Sequence, residues 1–183
     1  MIFFSFISLM KTIHSKIILI IICVVFCSAN PVKLKRETAG SVTILIPVNS
    51  KFRKVDQIKS ESLMMEFFTK YDLYLAEDPT YSFIVSYSEI IPKQSEMCDG
   101  LADELPLRTA KNVAEASGAV FTEISSKKSE GFNRLAGYIN GKNKTFFQAV
   151  SWQKGNNVQM VSCLCKQDDI ILNDNVLNSV RSR

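Results

Sequence analysis

The chain has 183 residues, with 22 Lys and Arg against 18 Asp and Glu, and one histidine. That histidine, His14, lies within the first thirty residues, so a chain processed beyond them has none. Such a chain cannot build a Ser-His-Asp or Cys-His nucleophile pair, nor a zinc site that needs imidazole. The first 29 residues hold two lysines and no acid, which leaves a net charge of about +2, too small for a nucleic-acid footprint.

Lys11 and Lys16 precede an uncharged run from Ile17 to Phe26, and Cys27-Ser28-Ala29 then supplies small residues. This is the layout of a secretory signal peptide. A membrane span needs about 20 apolar residues, and this run stops short of that before Asn30, Pro31 and the basic stretch from Lys33 to Arg36. The sequence therefore predicts a signal peptide over 1–29, cleaved near Ala29, and a secreted or periplasmic product without an integral span. Met10 would set both lysines close to the amino terminus, so Met1 and Met10 both stand as starts. Lipidation at Cys23 or Cys27 is disfavoured, because Ile22 or Phe26 occupies a position where a bacterial lipoprotein carries a small residue.

Residues 30–40 are polar, basic and without periodicity, and read as a flexible linker. The remaining 41–183 is the length of one ordinary domain. Val42 to Ile46 is a β-branched run ended by Pro47, hence a short strand. Ser50 to Ser62 reads as a loop. The stretch Leu63 to Ala76 carries both periodicities and is assigned to a strand from Phe68 onward. Glu77-Asp78-Pro79-Thr80 is a turn, and Tyr81 to Tyr87 alternates cleanly, completing an antiparallel hairpin. From Asp99 the period becomes helical, with the main helix expected after Leu105 because Pro106 must begin or kink it, and Gly118 as its stop. Val120 to Ser125 reads as a strand and Lys127 to Gly131 as a loop.

Three strands then follow at tight spacing: Arg134 to Ile139, Lys144 to Gln153 and Val158 to Cys165. Asn140-Gly141 and Lys154-Gly155-Asn156-Asn157 join them into a β-meander. In the third strand Val158, Met160 and Leu164 share one side and Val161, Cys163 and Cys165 the other, so both faces of the sheet are expected to be covered. A short helix from Ile170 to Val180 closes the chain, capped by Asp168 or Asp169. The fold class is α+β: a central antiparallel sheet with a C-terminal β-meander and helices packed on both faces.

The Val42-Thr43-Ile44-Leu45-Ile46-Pro47 strand, the Ala76-Glu77-Asp78-Pro79 turn into Tyr81 to Tyr87, the central helix, Gly131-Phe132-Asn133-Arg134, the long meander and a final helix ending Leu177-Asn178-Ser179-Val180 come in a recognisable order. In that order the chain resembles the PsbP/DcrB-type α/β sandwich, a group that also includes the Ran-binding Mog-type import factor. The resemblance covers roughly Ser41 to Arg183. It implies a central antiparallel sheet with helices on both sides and an accessory, assembly or partner-binding role rather than an enzymatic one. The leader argues against a Ran-type role, and no functional residue carries over.

Three cysteines lie beyond the leader. Cys98 could form a disulfide with Cys163 or Cys165; alternatively all three are buried thiols. Tyr81, Phe83, Tyr87 and Trp152 could form a binding surface, although an aromatic row on a strand is ordinarily core. Asp168, Asp169 and Asp174 fit no calcium loop, and Asn143-Lys144-Thr145 is a glycosylation sequon in a turn. No cofactor or metal site is expected. The leading function is an exported, non-enzymatic accessory protein with a protein partner, no nucleic acid and no membrane span after processing. The alternatives are a carrier of small apolar ligands or lipids, with a pocket between sheet and helix lined by Phe67, Phe68, Phe83 and Trp152, and a carboxylate-pair enzyme.

Overall fold

Alternation and turn residues fix most of the architecture. The computed structural model describes residues 32–55, 68–79, 82–98, 100–129, 131–166 and 170–182. The leader, the loop and strand readings over 56–67, and Tyr81, Asp168 and Asp169 lie outside them. Strands β1 (Leu34–Ala39), β2 (Val42–Pro47), β3 (Arg53–Lys54), β4 (Phe68–Asp78) and β5 (Phe83–Pro92) lead through a 3-10 turn (Ser95–Cys98) to helix α1 (Leu101–Ala116). Then come β6 (Val120–Ser129), β7 (Phe132–Asn140), β8 (Lys144–Lys154), β9 (Asn157–Lys166), helix α2 (Ile170–Asn178) and β10 (Arg181–Ser182). The result is a sheet-rich α+β fold with two helices among the described residues.

The main sheet has seven strands in the order β3-β4-β5-β9-β8-β7-β6, and the smaller one three, β1-β2-β10. Every pairing is antiparallel. The hairpin of β4 and β5 and the meander of β7, β8 and β9 form where the sequence places them. Two expectations are corrected. The segment read as a flexible linker is strand β1 from Leu34 onward, paired along its whole length with β2. Its charged residues hid it, and partnership with a β-branched neighbour makes it a strand. Likewise β6 continues to Ser129 through the basic residues read as a loop, because each of Ser126 to Ser129 pairs with a residue of β7.

Helix α1 packs Ala110 and Ala114 against Leu135, Ile139, Phe147, Ala149 and Met160 of the sheet. Alanine lets the helix approach closely, and Gly118, at φ +63°, ends it in the left-handed conformation. The helix begins at Leu101 and runs through Pro106, earlier than expected. Proline at 106 deprives the Ala102 carbonyl of its helical donor, and the buried Ser151 hydroxyl of β8 donates to that carbonyl instead. The sheet thus supplies the hydrogen bond that the helix cannot.

The opposite parity of the same strands carries Gln148, Val150 and Trp152 of β8 opposite Cys163, Val161 and Gln159 of β9. Asp174 of α2 accepts from Gln148 Nε2 at 2.8 Å, and Asn178 accepts from Arg134 Nη1 at 3.1 Å. The small sheet contributes fully buried Val42, Ile44 and Ile46. Among the described residues no helix is long and apolar enough to cross a membrane.

Removing the Ser151 hydroxyl leaves a buried carbonyl without a donor, which costs about 1–3 kcal/mol. Ser151→Ala is therefore expected to lower the urea unfolding midpoint, with Ser151→Thr, which keeps a hydroxyl, retaining more of the stability. An unchanged midpoint for Ser151→Ala would show that the helix start does not depend on this bond.

Candidate functional site

The residues proposed from sequence as a binding surface are core. Phe83, Tyr87 and Trp152 are 1%, 0% and 4% exposed. All three lie on the sheet face opposite α1, as their pairing with Asp78, Tyr74 and Gln159 shows. Tyr74 and Tyr87 are ring neighbours at 5.9 Å, as are Phe132 and Trp152. Burial of the aromatic row is the ordinary outcome for rings alternating along a central strand.

Of the two readings of the cysteines, the structure has the buried thiols and not the disulfide. Cys98, Cys163 and Cys165 are buried thiols outside any disulfide. Cys98 packs with Ala102 and Val158 on the α1 side, and its thiol donates to the Asn156 carbonyl. Cys163 and Cys165 point to the other face, and Cys163 is five residues along β9 from Val158. At about 3.3 Å per residue, that distance exceeds what a disulfide can span. Burial, and then the neighbouring Cys165, push the Cys163 thiol well up, so it is an inert core group.

A polar cluster fastens the small sheet to the large one. The β1–β2 turn places Gly40 at φ +53°, where an added Cβ would meet the Tyr87 ring at 2.8 Å and Glu89 Oε2 at 3.0 Å. Ser41 Oγ shares a hydrogen bond with Tyr87 OH at 3.0 Å and accepts one from Gln159 Nε2 at 2.6 Å. Glu89 accepts from Asn157 Nδ2 and pairs with Lys70 at 3.2 Å. Asp72 pairs with Lys54 at 2.6 Å and Lys70 at 3.5 Å. Desolvation works to raise the Asp72 pKa, but the bonds and charges of Lys54 and Lys70 outweigh it and hold the carboxyl below its ordinary value. Desolvation works to lower the Lys70 pKa, and Glu89 and Asp72 outweigh it and raise it. Burial pushes the Tyr87 phenol up, against the Ser41 hydrogen bond. Each of these side chains has at least one structural partner, although Gln159 Oε1 and Asn157 Oδ1 are buried without one, and the cluster acts as a clamp.

Two of the concave places bear on function. An apolar cleft of about 290 Å³ lies between α1 and the sheet, with Leu73, Leu75, Ile84, Met160 and Leu164 among its walls. Ser88 also lines it, nearly buried, with a hydroxyl that has no hydrogen-bond partner. The cleft occupies the place expected for a ligand pocket but not with the expected residues. Phe83 and Trp152 belong to the opposite face, Phe68 is not in its walls, and Phe67 lies outside the described residues.

The second place is the β6 margin. This ten-residue strand ends the sheet, so its outer edge has no neighbouring strand among the described residues. Val120 and Ile124 on it are 68% and 55% exposed, and Phe132 on β7 is 44% exposed. A groove of about 360 Å³ opens beside this margin, between Lys127 and Ser129 of β6, Arg134 of β7 and the chain from Leu177 to Arg181. Sequence reading passed over these residues because it assigned Lys127 to a loop. The usable signal was Val120, Ile124 and Phe132 near a run of bases that no acidic residue interrupts between Ser125 and Ser129. Among the described residues, no group of His, Cys, Asp and Glu could hold a metal ion.

No family model matches the chain, and no curated protein matches it by sequence. Among solved structures it is similar to the cyanobacterial PsbP (CyanoP) of Synechocystis sp. PCC 6803, with a TM-score of 0.54 and 18% identity over 85% of this chain and 96% of that one. LpqN of Mycobacterium tuberculosis, described as involved in cell envelope biogenesis, matches at a TM-score of 0.37 and 14% identity over 82% and 88% of the two chains. The fold is PsbP-like, as the element order in the sequence implied.

The clamp has a pH consequence. Because the folded Asp72 pKa is depressed, its contribution to stability is present above the ordinary carboxylate value of about 3.9 and is lost as pH falls through the folded value. The urea midpoint is expected to fall as the pH drops below about 4, and Asp72→Asn to make that fall shallower. Identical slopes in the two proteins would show that Asp72 is not a linked group.

Proposed function

We propose that the chain is an exported, non-enzymatic accessory protein that binds a protein partner along the β6 margin. The observation that carries this reading is the open ten-residue edge of β6 with Val120 and Ile124 exposed on it and Phe132 beside it on β7. Exposed apolar side chains on an open strand edge are costly to leave unpartnered and suit strand addition by a second chain. Export is supported by the charged, apolar and small-residue segments of the first thirty residues. The non-enzymatic reading is supported by the confinement of histidine to that leader. We also read the two helices as lying on opposite faces of the main sheet. The contacts of α1 fall on Leu135 and Ala149, and those of α2 on Arg134 and Gln148, one residue out of phase.

A second reading, a carrier of small apolar molecules, is favoured by the cleft between α1 and the sheet. Its walls are mostly aliphatic, and Ser88 offers one unused hydroxyl, the combination of an apolar body and a few fixed polar groups found in ligand sites. Its volume is at the small end for such sites.

A photo-crosslinking side chain in place of Ile124 is expected to capture a protein from the exported fraction, while the same group in place of exposed Ile171 on α2 does not. Equal capture at both positions, or none at Ile124, would remove the β6 reading. Native mass spectrometry of the purified protein separates the second reading. A co-purifying small molecule that is lost in Ser88→Leu supports the carrier, whereas a uniformly empty protein counts against it.

A further inference from the structure

We propose that the groove beside β6 receives an acidic, extended segment of the partner. Lys127, Arg134 and Arg181 hold its carboxylates, and an apolar side chain of the segment rests on Phe132 and Val150. This deepens the partner-binding reading and rests on it.

Charge supplies the first argument. None of the described residues lining the groove is acidic. Lys127, Arg134 and Arg181 lie in none of the ion pairs of the described residues; Lys33, Lys51, Lys111 and Lys166 share that state on the surface, and what sets the three apart is that they line one groove. The contrast between neighbours is sharp: Lys128 turns to the α1 side and pairs with Asp103 at 2.7 Å, while Lys127 lines the groove on the other side without a counter-charge.

Register supplies the second. Lys127 stands directly opposite Arg134 in the β6–β7 pairing. Like charges directly opposite one another are destabilising, so the isolated fold carries a repulsion that an anionic occupant would relieve. The guanidinium groups are also held in place by neutral acceptors: Arg134 donates to Asn178 Oδ1 at 3.1 Å, and Arg181 to the carbonyls of Asn178 and Val180 at 3.1 and 2.8 Å. They are therefore oriented before binding and still retain donors for a carboxylate.

Shape selects the class of partner. The cations line a concave groove of about 360 Å³, which suits an inserted chain better than a flat bilayer. The adjoining β6 edge offers backbone donors and acceptors that only a polypeptide can pair in register. The apolar floor then accommodates the side chain between two acidic ones, given the two-residue period of an extended chain.

The test uses the purified protein and a short labelled peptide alternating glutamate with valine, its glutamine counterpart, and vesicles of phosphatidylglycerol in phosphatidylcholine. Fluorescence anisotropy is expected to show binding of the glutamate peptide, weakened by salt. Binding of the glutamine peptide, or of the glutamate peptide to Arg134→Gln, should be about tenfold weaker. Lys127→Gln guards against a folding artefact, because it relieves the cross-strand repulsion; it should weaken the peptide while leaving the urea midpoint equal or higher. Equal affinity for both peptides, or unchanged affinity in Lys127→Gln and Arg134→Gln, would overturn the proposal. So would vesicle binding that depends on these residues in the absence of peptide binding. If the unsubstituted protein binds neither peptide, while the Ile124 crosslink to a protein forms equally in it and in a Lys127→Gln, Arg134→Gln double variant, the partner reading stands and this groove is excluded from it.

Discussion

The seat of the β1–β2 turn on the main sheet is the constraint that the rest of the fold depends on. Gly40 is the one residue type that can take a positive φ at no steric cost and also lie against Tyr87 and Glu89, where a Cβ would collide. Ser41 then becomes the shared partner of Tyr87 and Gln159. These contacts set where the small sheet lies, and so which face of the main sheet is closed over Phe83, Tyr87 and Trp152. The ion pairs of Lys70 with Glu89 and Asp72 close the cluster at its solvent side, while Gln159 Oε1 and Asn157 Oδ1 are buried in it without a hydrogen-bond partner.

The other face is organised by a helix that breaks a local rule. Proline in the sixth position of α1 should weaken it, yet the helix continues because β8 presents a serine hydroxyl at the vacant carbonyl. The local signal correctly marked Pro106 as unusual and located the helix start too late. What it could not contain was the donor from a strand 45 residues further along the chain, Ser151 to Pro106. Elements whose stability is local were read correctly for the same reason: the β7–β8 and β8–β9 turns carry their own Asn and Gly chemistry, and Tyr87 and Val85 alternate with Ser86 and Ile84 without help from elsewhere.

The strands that escaped the sequence are those stabilised by a neighbour rather than by their own residues. Leu34 to Ala39 and the end of β6 are rich in charge, and their extended form follows from pairing with β2 and β7. The candidate site was missed with them. Aromatic residues drew attention because they are large, but rings in central strands are where the core needs them, while the β6 margin exposes the aliphatic Val120 and Ile124, with Phe132 beside them. The place of a cleft between sheet and helix was legible from two apolar faces; its walls were not, because a one-residue difference in parity moves a side chain to the opposite face.

Edge strands invite pairing with copies of themselves, and proteins discourage this with lysines and bulges. Strand β6 has both: Lys127 and Lys128 near its end and a register shift between Glu123 and Ser125. These devices do not act equally on all partners. A second copy of β6 would bring its own lysines to the edge and be repelled, whereas a strand carrying carboxylates at the same spacing would be attracted by the same charges. Specificity of this kind is a difference between two affinities, achieved as much by repelling the wrong partner as by contacting the right one. Lys128 has been neutralised from the α1 side by Asp103, which leaves Lys127 and Arg134 as the charges that discriminate. In the proposed complex, an unbalanced pair that costs stability in the isolated protein would thus have a physical use at this edge, separating an acidic partner from another copy of the chain.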